Sequence, residues 1–530
     1  MNQEQQPGPL EKPFKPSPSV DALWRHARRR PGQDAVVDSR LCLSFEALRA
    51  HVERLARALR ELGIGPGEPV VVLFDVCAES VVAFWALRAI DAVVVVGDPT
   101  GKGAEIDYYL EVTGSRHVLA GTRAAAALAP PAAAAWHVLE DGAAAAPRRW
   151  RLDRRSQPPA KMRGDMAAES RAAVIFSSGT TGKPKAIVHT QDSLRSLHEV
   201  LIETWKLSPD DRALGALPFH TIYGLFFSAA SIIYAGATLV LVERFRPERV
   251  LAAIERHRVT TAAFVPTMAL MILNFEDRDG YDLSSLRAVY AASAPISDSD
   301  IERFRRFSGA PMIANYGLTE IPGAAVEPAD EPHQEGSVGK ISPGFEVCVR
   351  DSEGRPLPVG ETGEITVRGP SQMQGYLGDP AQTAERLRDG WIHTQDIGRV
   401  DAAGNIYLSG RTSDMIMRGG LNISPHEVEH ALSTHPEVLD SAVVGTPDPI
   451  YGEVVTAFVV VRGPADGAAI AKALTDHCRS LLAAAKVPAN IVLVDALPRN
   501  AGGKVLRKQL QERGVGPADE DEAMDGKGNA

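Results

Sequence analysis

The sequence predicts an α/β protein in which a large N-terminal domain, built on parallel sheets, precedes a small α+β C-terminal domain. Before Gly336, apolar strands such as "PVVVLFD", "AVVVVGD" and "AAVIFSS" alternate with amphipathic helices, which is typical of parallel sheets. After Gly336, the stretch "GFEVCVRDSEGRPLPVGETGEITVRG" indicates antiparallel hairpins. A last block, at about 413–513, has a compact α+β pattern. With 530 residues, 44% of them hydrophobic, the chain is long enough for more than one core.

The early elements can be placed in order along the chain. A helix is predicted from Asp21 through Arg29, and the strand "AVVDS" follows it. Helices near Ser80–Ile90 and Glu105–Thr113 each follow an apolar strand, and "HVLAG" forms the next strand. Later strands are predicted at "ATLVLVE", "TAAFVPT" and "LRAVYAAS".

One apolar stretch requires a decision between a membrane span and a buried core segment. Residues 213–242 contain no Asp, Glu, Lys or Arg, and a transmembrane helix needs ~20 apolar residues. Pro218 and Gly224 interrupt the stretch, however. We therefore predict a buried helix at Ile222–Tyr234, a turn at Gly236 and a core strand at "TLVLV", and no transmembrane segment.

Three segments have biased compositions. Residues 1–18 are rich in Pro, Gln, Lys and Glu, which predicts a disordered N-terminal segment without the apolar region of a signal peptide. Residues 123–160 are rich in Ala, Pro and Arg, and we interpret them as a variable surface segment without a functional element. The acidic end at 514–530 predicts a disordered tail. The two domains then extend over 19–412 and 413–513.

Charge and cysteine usage exclude several classes of protein. Lys and Arg total 57 against 67 Asp and Glu, a formal net charge of −10. This balance argues against nucleic acid or an anionic membrane as the main partner, although it leaves a local basic groove open. The four cysteines lie far apart without C-x-x-C spacing. They favour free thiols in a reducing cytoplasm over a disulfide framework or a zinc site.

The stretch "SSGTTGKPKAIVHT", Ser177–Thr190, is suited to bind phosphate. Its glycines let backbone N–H groups approach an anion, its hydroxyls donate hydrogen bonds, and its lysines neutralise charge. It directly follows the strand "AAVIF", so it lies at the carboxyl end of a strand, where α/β sheets bind ligands. The spacing excludes a Walker loop, and with it a P-loop kinase or GTPase. Gly179 and Gly182 are too close together, and Pro184 occupies the position of the magnesium-binding hydroxyl.

Five motifs, in one order, resemble those of the AMP-forming adenylating enzymes, the superfamily of acyl-CoA synthetases, peptide-synthetase adenylation domains and luciferases. The resemblance covers about residues 20–513 and is strongest to acyl- and aryl-CoA synthetases. It implies a large domain with a small β-barrel-like part and a mobile C-terminal domain. The motifs are "SSGTTGKPKAIVHT", "NYGLTE", "GWIHTQDIG", "GRTSDMIMRGGLNISPHEVE" and "LPRNAGGKVLRKQL".

The resemblance implies an ATP-dependent ligase that forms acyl-AMP from a carboxylic acid and MgATP, and then passes the acyl group to coenzyme A. Tyr316 would offer a flat face to adenine, Asp396 and Arg411 would hydrogen-bond the ribose, and Glu320 would bind Mg²⁺. The catalytic candidates are Lys504, Glu320, Thr181 and Thr319. The ATP-binding candidates are Ser177, Ser178, Gly179, Thr180, Thr181, Gly182, Lys183, Lys185, Ser293, Ala294, Pro295, Asn315, Tyr316, Gly317, Leu318, Thr319, Asp396, Arg411 and Lys504.

The resemblance also places the stretch "LPFHTIYGLFFS" along the carboxylic acid pocket. It contains no Asp to pair with the α-ammonium of an amino acid, and its aromatic residues favour a hydrophobic aliphatic or aryl acid. His220 is either a gate of this pocket or a structural residue. The pocket candidates are His220, Tyr223, Gly224, Phe264, Ala292 and Gly317.

Two glycines in the fourth motif indicate which molecule accepts the acyl group. Gly419 and Gly420 can let a thin pantetheine arm pass close to the backbone. The final domain also has no long insertion of the kind found in acyl-AMP ligases that reject CoA. We therefore predict CoA as acceptor, with an acyl carrier protein as the alternative. The hinge candidates are Ser413 and Asp414, and the oligomeric state, a homodimer included, is left open.

Several positions depart from the family pattern. Ala186, Gln395 and Ser293 stand where the family usually has glycine, and Ser413 replaces the usual Asp or Lys of the hinge. A side chain at Gln395 can alter the turn before Asp396, and one at Ser293 can reshape the adenine and acyl pockets. None of these changes removes a charged group that the chemistry needs. This disfavours a non-catalytic relative that only binds nucleotide.

Overall fold

The computed structural model of the protein describes residues 16–130, 134–139, 152–154, 171–177, 184–294, 296–463, 467–499 and 505–514. Its α-helices are α1 (Asp21–Arg29), α2 (Phe45–Glu61), α3 (Ala78–Ala89), α4 (Gly103–Thr113), α5 (Thr122–Ala127), α6 (Gln191–Thr204), α7 (Ser231–Ala235), α8 (Pro247–His257), α9 (Pro266–Leu273), α10 (Asp298–Ser308), α11 (Pro380–Arg386), α12 (Pro425–Ser433), α13 (Gly467–Leu481) and α14 (Arg507–Gly514).

The strands alternate with these helices over much of the chain. They are β1 (Asp34–Val37), β2 (Cys42–Ser44), β3 (Pro69–Leu73), β4 (Val93–Val96), β5 (His117–Gly121), β6 (Ala135–Leu139), β7 (Leu152–Arg154), β8 (Arg171–Ser177), β9 (Lys185–Thr190), β10 (Arg212–Gly215), β11 (Thr238–Leu241), β12 (Thr261–Phe264), β13 (Ala288–Ala291), β14 (Met312–Leu318), β15 (Ile321–Val326), β16 (Lys340–Ile341), β17 (Glu346–Arg350), β18 (Gly363–Arg368), β19 (Gly375–Tyr376), β20 (Leu387–Arg388), β21 (Trp391–Val400), β22 (Ile406–Arg411), β23 (Ile416–Arg418), β24 (Leu421–Ile423), β25 (Val438–Asp448), β26 (Gly452–Val461) and β27 (Asn490–Leu493).

A nine-stranded sheet forms one half of the large domain, in the order β16-β15-β14-β13-β12-β10-β11-β1-β2. The strands from β14 to β1 are parallel to one another, whereas β2, β15 and β16 pair antiparallel at the edges. Apolar residues of α8, α9 and α10 cover one face, where Val250 and Phe304 are buried. The opposite face packs in a second cluster with α2, α3 and the apolar helix at Tyr223–Ala230.

An eight-stranded sheet forms the other half, in the order β19-β9-β8-β4-β3-β5-β6-β7. Its central strands are continuous apolar runs because helices cover both faces. All four valines of β4 are buried; Val94 and Val96 pack toward α2 and α3, whereas Val93 and Val95 pack toward α4. The two sheets confirm the predicted parallel α/β architecture.

The Ala-rich segment contributes to this second sheet. Strand β6 pairs in parallel with β5, and every residue of β6 is buried, with Trp136 fully enclosed. The prediction of a variable surface segment at 123–160 was therefore wrong for β6. The short strand was not recognised because alanine-rich flanks dominate the composition of this segment. Positions 131–133, 140–151 and 155–170 lie outside the described residues.

The apolar stretch 213–242 is buried in the large domain, as predicted, but its helix is wider than an α-helix. Residues Tyr223–Ala230 form a π-helix that continues into α7, and Gly236 ends it with φ of 83°. Ser228 Oγ lies 3.2 Å from the Tyr223 carbonyl oxygen and 2.8 Å from that of Gly224, so its hydroxyl can satisfy backbone acceptors of this turn. None of the described helices is long and apolar enough to cross a membrane.

The predicted hairpins and the small α+β block are both confirmed. Strands β17, β18, β21 and β20 form an antiparallel sheet, to which β22 adds through β21. A second five-stranded sheet, β24-β23-β26-β25 with β27 beside β26, builds the C-terminal part. Apolar residues of α12 and α13 pack on one face of it, and Leu510 of α14 packs on the other.

The chain ends differ in part from the prediction. Helix α1 has the predicted bounds. Within the predicted disordered segment 1–18, Ser17 belongs to the fold, since its N–H donates to the Ala89 carbonyl at 3.0 Å and its hydroxyl donates to Asp91 at 2.5 Å. Positions 1–15 and 515–530 lie outside the described residues.

Candidate active site

The candidate nucleotide-binding residues lie at the ends of strands from different sheets. Two hydrogen bonds join them. His189 Nε2 on β9 donates to the Thr319 carbonyl at 2.8 Å, and the Tyr316 phenol on β14 donates to Asp396 on β21 at 2.7 Å. Burial lowers the pKa of His189 to about 4, so the ring is neutral when it makes this bond. These contacts bring the "NYGLTE" turn beside both the phosphate stretch and the "GWIHTQDIG" stretch.

Asp396 is held from two sides. It is 4% exposed, its Oδ2 accepts from the Tyr316 phenol, and its Oδ1 accepts from Arg411 Nε at 2.8 Å. Burial, followed by the Asp396 charge, raises the pKa of Tyr316 well above its ordinary value, so the phenol remains a donor. A carboxylate has about four acceptor positions, so these two bonds leave others for a ligand hydroxyl.

Two of the departures from glycine adopt the backbone conformation that glycine favours. Ser293 has φ of 76° and Gln395 has φ of 61°. The left-handed region is unfavourable for residues with a Cβ, but hydrogen bonds hold the turn at Gln395. Its N–H donates to Glu364 at 3.1 Å, and the N–H of Asp396 donates to the Thr394 hydroxyl at 3.0 Å. The left-handed turn before Asp396 is thus retained with a side chain in place.

The carboxylate of Glu320 lies in a buried polar cluster. Its Oε1 accepts a hydrogen bond from the Tyr376 phenol at 2.7 Å, and Arg386 Nη2 lies 3.6 Å from the same oxygen. Burial, followed by the Glu320 charge, raises the pKa of Tyr376 far above its ordinary value. The Lys185 ammonium lies 5.3 Å from the centroid of the Tyr376 ring. This cluster connects the start of β9 to the end of the "NYGLTE" motif.

The donor set at Glu320 fits a magnesium ion that arrives with ATP. In nucleotide sites, Mg²⁺ is held by one or two carboxylates together with substrate phosphates and water. Among the described residues, no group of three or more His, Cys, Asp or Glu could hold a metal. Glu320 would therefore supply one ligand, and phosphate oxygens and water would supply the others.

Two of the acyl-pocket candidates make contacts in the core of the large domain. The Phe264 ring is fully buried and packs edge-on against Phe245 and Phe304. Side chains alternate along β12, so Phe264 faces α10. That the Phe264 ring lines the acyl pocket stays a prediction. The Tyr223 phenol donates to the Tyr290 carbonyl at 3.0 Å, which ties it to the core of the nine-stranded sheet.

Gly224 and His220 lie in the turn that precedes the π-helix. A Cβ on Gly224 would meet the Pro218 carbonyl oxygen at 1.9 Å, so this tight turn requires glycine. His220 Nδ1 lies 3.7 Å from Asp98, which follows β4 of the other sheet. Burial lowers the pKa of His220, and the Asp98 charge opposes that shift. His220 therefore lies between the carboxyl ends of strands from the two sheets.

The acceptor and hinge candidates lie in the C-terminal part. Gly419 and Gly420 have φ of 56° and 85°, and the Gly419 N–H donates to the Tyr451 carbonyl at 2.7 Å. The segment Thr412–Asp414 forms one 3₁₀ turn between β22 and β23. Asp414 Oδ2 lies 3.5 Å from Arg507 Nε. Arg507 donates in turn to both oxygens of Glu429, at 2.6 and 3.0 Å.

Several candidates fall outside the described residues: Ser178, Gly179, Thr180, Thr181, Gly182, Lys183, Pro295 and Lys504. The residues next to positions 178–183 and 500–504 are paired. Ser177 pairs with Lys185 across β8 and β9, and Arg499 pairs with Val505. The side chain of the hinge candidate Ser413 is likewise not described.

Tyr376, Arg386 and Glu364 could not be identified from the sequence as neighbours of the candidate site. Tyr376 and Arg386 belong to β19 and α11, which follow the antiparallel hairpin, and Glu364 belongs to β18. No charge pattern or spacing within these segments distinguishes them from surface residues. The pairing of β19 with β9 and of β18 with β21, together with the packing of α11 on β19, brings them to Glu320 and Gln395.

Comparison with known proteins agrees with the geometry. The family model for AMP-binding enzyme matches residues 23–377, and that for the AMP-binding enzyme C-terminal domain matches residues 427–504. A feruloyl-CoA synthase from an Amycolatopsis species is 35% identical over 498 residues, which cover 92% of this chain and 97% of that protein. An indoleacetate–CoA ligase from Aromatoleum aromaticum is 33% identical over 508 residues, which cover 92% and 96%.

A solved structure extends this similarity to the fold. An anthranilate–CoA ligase in complex with anthranoyl-AMP superposes with a TM-score of 0.83 at 26% identity, covering 95% of this chain and 98% of that one. These matches span both domains and confirm the resemblance inferred from the five motifs. The chain belongs to the AMP-binding enzyme family.

Proposed function

We propose that this chain is an ATP-dependent carboxylic acid–CoA ligase. It forms acyl-AMP and pyrophosphate from a carboxylic acid and MgATP, and then transfers the acyl group to the thiol of CoA. The relatives, named as CoA ligases, confirm the prediction of an AMP-forming acid–thiol ligase. The observation that carries the proposal is the buried carboxylate of Asp396, held by Tyr316 and Arg411 within matched family motifs.

The chemistry requires a site that screens charge and fixes geometry. A carboxylate attacks the α-phosphate of ATP, and both reactants are anions that repel each other. Positioned cations and hydrogen-bond donors lower this barrier without a covalent step by the protein. In our proposal, Asp396 accepts from the ribose hydroxyls, Glu320 holds Mg²⁺ on the phosphates, and Lys504 contacts the carboxylate and α-phosphate as charge develops.

The remaining candidates divide between the leaving group and the second half-reaction. The stretch Ser177–Lys185 binds the β- and γ-phosphates, which leave as pyrophosphate. The small domain begins at Ser413 and turns there to present Gly419 and Gly420 to the acyl-AMP. Glycine at these positions leaves room for the pantetheine arm beside the backbone.

We propose an aryl acid as the preferred substrate within the predicted class of hydrophobic acids. Two observations support this choice. The stretch "LPFHTIYGLFFS" contains no Asp for an amino-acid ammonium. The reported relatives are named for feruloyl, indoleacetate and anthranilate groups, which all carry an aromatic ring.

The test is carboxylate-dependent ATP–pyrophosphate exchange over a panel of hydroxycinnamic, indole-acetic, benzoic, medium-chain fatty and amino acids. The aryl acids should give the fastest exchange. Thioester should then form with CoA alone, as detected by mass spectrometry. Exchange with amino acids only would overturn the substrate class, and transfer only to a holo acyl carrier protein would overturn CoA as the acceptor.

A further inference from the structure

Arg386 is a buried cation beside the carboxylate that we assign to Mg²⁺. Its side chain is 10% exposed and that of Glu320 is 8% exposed, and Arg386 Nη2 lies 3.6 Å from Glu320 Oε1. Within the described part of the chain, Arg386 Nε is buried without a hydrogen-bond partner. A buried guanidinium is costly unless a counter-charge lies close to it. Glu320 supplies that charge.

The fold delivers Arg386 and Tyr376 to Glu320 as one unit. Tyr376 lies on β19, which pairs with β9, and its N–H donates to Thr383 of α11 at 2.9 Å. Arg386 is the last residue of α11, where the negative end of the helix dipole favours a cation. The Met373 N–H, just before β19, donates to the Glu320 carbonyl at 2.8 Å. The arrangement of the three side chains is thus fixed by backbone contacts.

Both contacts fall on the same carboxylate oxygen. Tyr376 donates to Oε1, and Arg386 approaches Oε1, so Oε2 makes neither contact. When Mg²⁺ binds the carboxylate, two cations share one anion in a site with little water. Charges this close repel strongly at low dielectric. The attraction between Arg386 and Glu320 must weaken as the metal binds.

We propose that Arg386 is the counter-cation that neutralises Glu320 before MgATP binds, and that Glu320 exchanges Arg386 for Mg²⁺ when the nucleotide enters. Tyr376 is a positioning residue that holds Oε1 through this exchange. Arg386 thereby sets how strongly nucleotide binding depends on the metal. This inference rests on the proposed role of Glu320 in MgATP binding.

The measurement is the metal dependence of ATP binding, without carboxylic acid or CoA. Calorimetry gives the Kd of ATP in EDTA and the Kd of MgATP in excess Mg²⁺. The first Kd divided by the second is the metal-coupling ratio. In Arg386→Gln, the uncompensated charge of Glu320 should repel metal-free ATP and raise its Kd. Mg²⁺ no longer competes with Arg386 for Glu320, so the Kd of MgATP should fall. The ratio should rise about tenfold or more, since interactions with buried charges are of this size.

Two further variants make the test specific. Arg388→Gln removes the same charge two residues later, from an exposed position on β20, and should leave the ratio unchanged. Arg386→Lys keeps a cation on a shorter side chain, so its ratio should lie between those of wild type and Arg386→Gln. Should Arg386→Gln not fold, Arg386→Lys carries the test alone, and an unchanged ratio would overturn the proposal.

The other outcomes also decide between explanations. If Arg386→Gln weakens binding of ATP and MgATP equally, Arg386 contacts phosphate and the exchange is refuted. If neither Kd changes, Arg386 only packs, and the proposal fails. A wild-type protein that binds neither form of ATP would refute the proposed function. A wild-type ratio above one with no response in Arg386→Gln would refute this inference alone.

Discussion

Gln395 holds a left-handed backbone immediately before the carboxylate proposed to bind ribose. Its φ is 61°, and Ser293, another candidate position where the family usually has glycine, has φ of 76°. Such conformations cost roughly 1–2 kcal/mol for a residue with a Cβ, and they tend to occur at functional sites. The protein therefore keeps the turn geometry of glycine while gaining an exposed amide and an exposed hydroxyl at the site.

Replacing Gln395 by glycine should relieve this strain. We expect Gln395→Gly to be neutral or stabilising by up to about 1 kcal/mol, because the relief of strain exceeds the added entropy of the unfolded chain. The matched control is Gln509→Gly in α14, an exposed helical position where glycine should cost about 1 kcal/mol. The thermal midpoint should fall in Gln509→Gly and stay the same or rise in Gln395→Gly. A clear loss of stability in Gln395→Gly would contradict the strain argument.

Removing the carboxylate of Asp396 should raise the requirement for ATP. Hydrogen bonds to charged groups contribute about 1.5–3 kcal/mol, so Asp396→Ala should raise the KM for ATP roughly ten- to hundredfold. Asp396→Ala also leaves the Tyr316 phenol without its acceptor, so folding is checked by the thermal midpoint. Glu361→Ala, an exposed carboxylate beside the same sheet, is the control. An unchanged KM with an intact fold would place the ribose elsewhere.

At the scale of elements, a histidine joins α10 to the connection after β15. His333 Nδ1 lies 2.6 Å from Glu327, and Nε2 lies 2.9 Å from Asp298 at the start of α10. These two carboxylates raise the pKa of His333 to about 10. We call the group His333, Glu327 and Asp298 the histidine clamp. Because α10 follows the strained Ser293 along the chain, we expect this clamp to support one edge of the candidate site.

The clamp should make stability depend on pH with a defined sign. The pKa of His333 is raised from an ordinary 6.5 to about 10 by its hydrogen bonds to Asp298 and Glu327. Its stabilisation is therefore fully present below about pH 6.5, declines as pH rises, and is lost above about pH 10. The stability difference between wild type and His333→Asn, measured by urea unfolding, should be largest near pH 6 and shrink toward pH 10. A difference that grows with pH would contradict the clamp.

A second element, the Gly419–Gly420 turn, is expected to act in thioester formation only. Gly420 has φ of 85°, so alanine and leucine are both strained there and differ chiefly in bulk. Gly420→Leu should leave acyl-AMP formation nearly intact and slow transfer to CoA, by blocking the pantetheine path. Gly420→Ala is the control for strain and should slow transfer less. Equal loss of both half-reactions in Gly420→Leu would refute the assignment.

At the scale of the whole molecule, the two half-reactions are proposed to use different arrangements of one small domain. The 3₁₀ turn Thr412–Asp414 lies between β22 and β23, and Asp414 contacts Arg507, three positions after Lys504. Arg507 is anchored on Glu429 of α12, the helix that follows the Gly419–Gly420 turn. The proposed hinge, the start of α14 and the proposed acceptor turn are thus connected by these contacts, and we expect them to move as one body.

The variant Lys504→Ala tests whether the two half-reactions use different arrangements of the small domain. Loss of one preorganised electrostatic contact typically lowers a rate ~10²–10³-fold, so acyl-AMP synthesis should fall by this amount. Transfer to CoA from acyl-AMP supplied ready-made should be largely spared, because it uses the other arrangement. Ser413→Pro, which restrains the hinge, should instead slow the exchange between them. A folded Lys504→Ala protein that loses both half-reactions alike would refute this division.

Much of the fold and the family could be read from the sequence because its signals are local. Helix α1, the valine-rich strands and the hairpins each follow from periodicity within a few residues. The motifs around Asp396 and Glu320 are contiguous stretches, so their resemblance to the family motifs could be recognised without knowledge of the fold. For the same reason, the positions of Gln395 and Ser293 could be marked as departures before their φ angles were known.

Tertiary structure alone decided which side chains surround these motifs. Arg386 and Tyr376 reach Glu320 because β19 pairs with β9, a contact between segments almost two hundred positions apart that no spacing encodes. Phe264 faces α10 because strand residues alternate between faces, and the sequence does not tell which face the acid pocket occupies. The sequence therefore determined the chemistry that this protein carries, whereas strand pairing and packing determined the environment in which each charge acts.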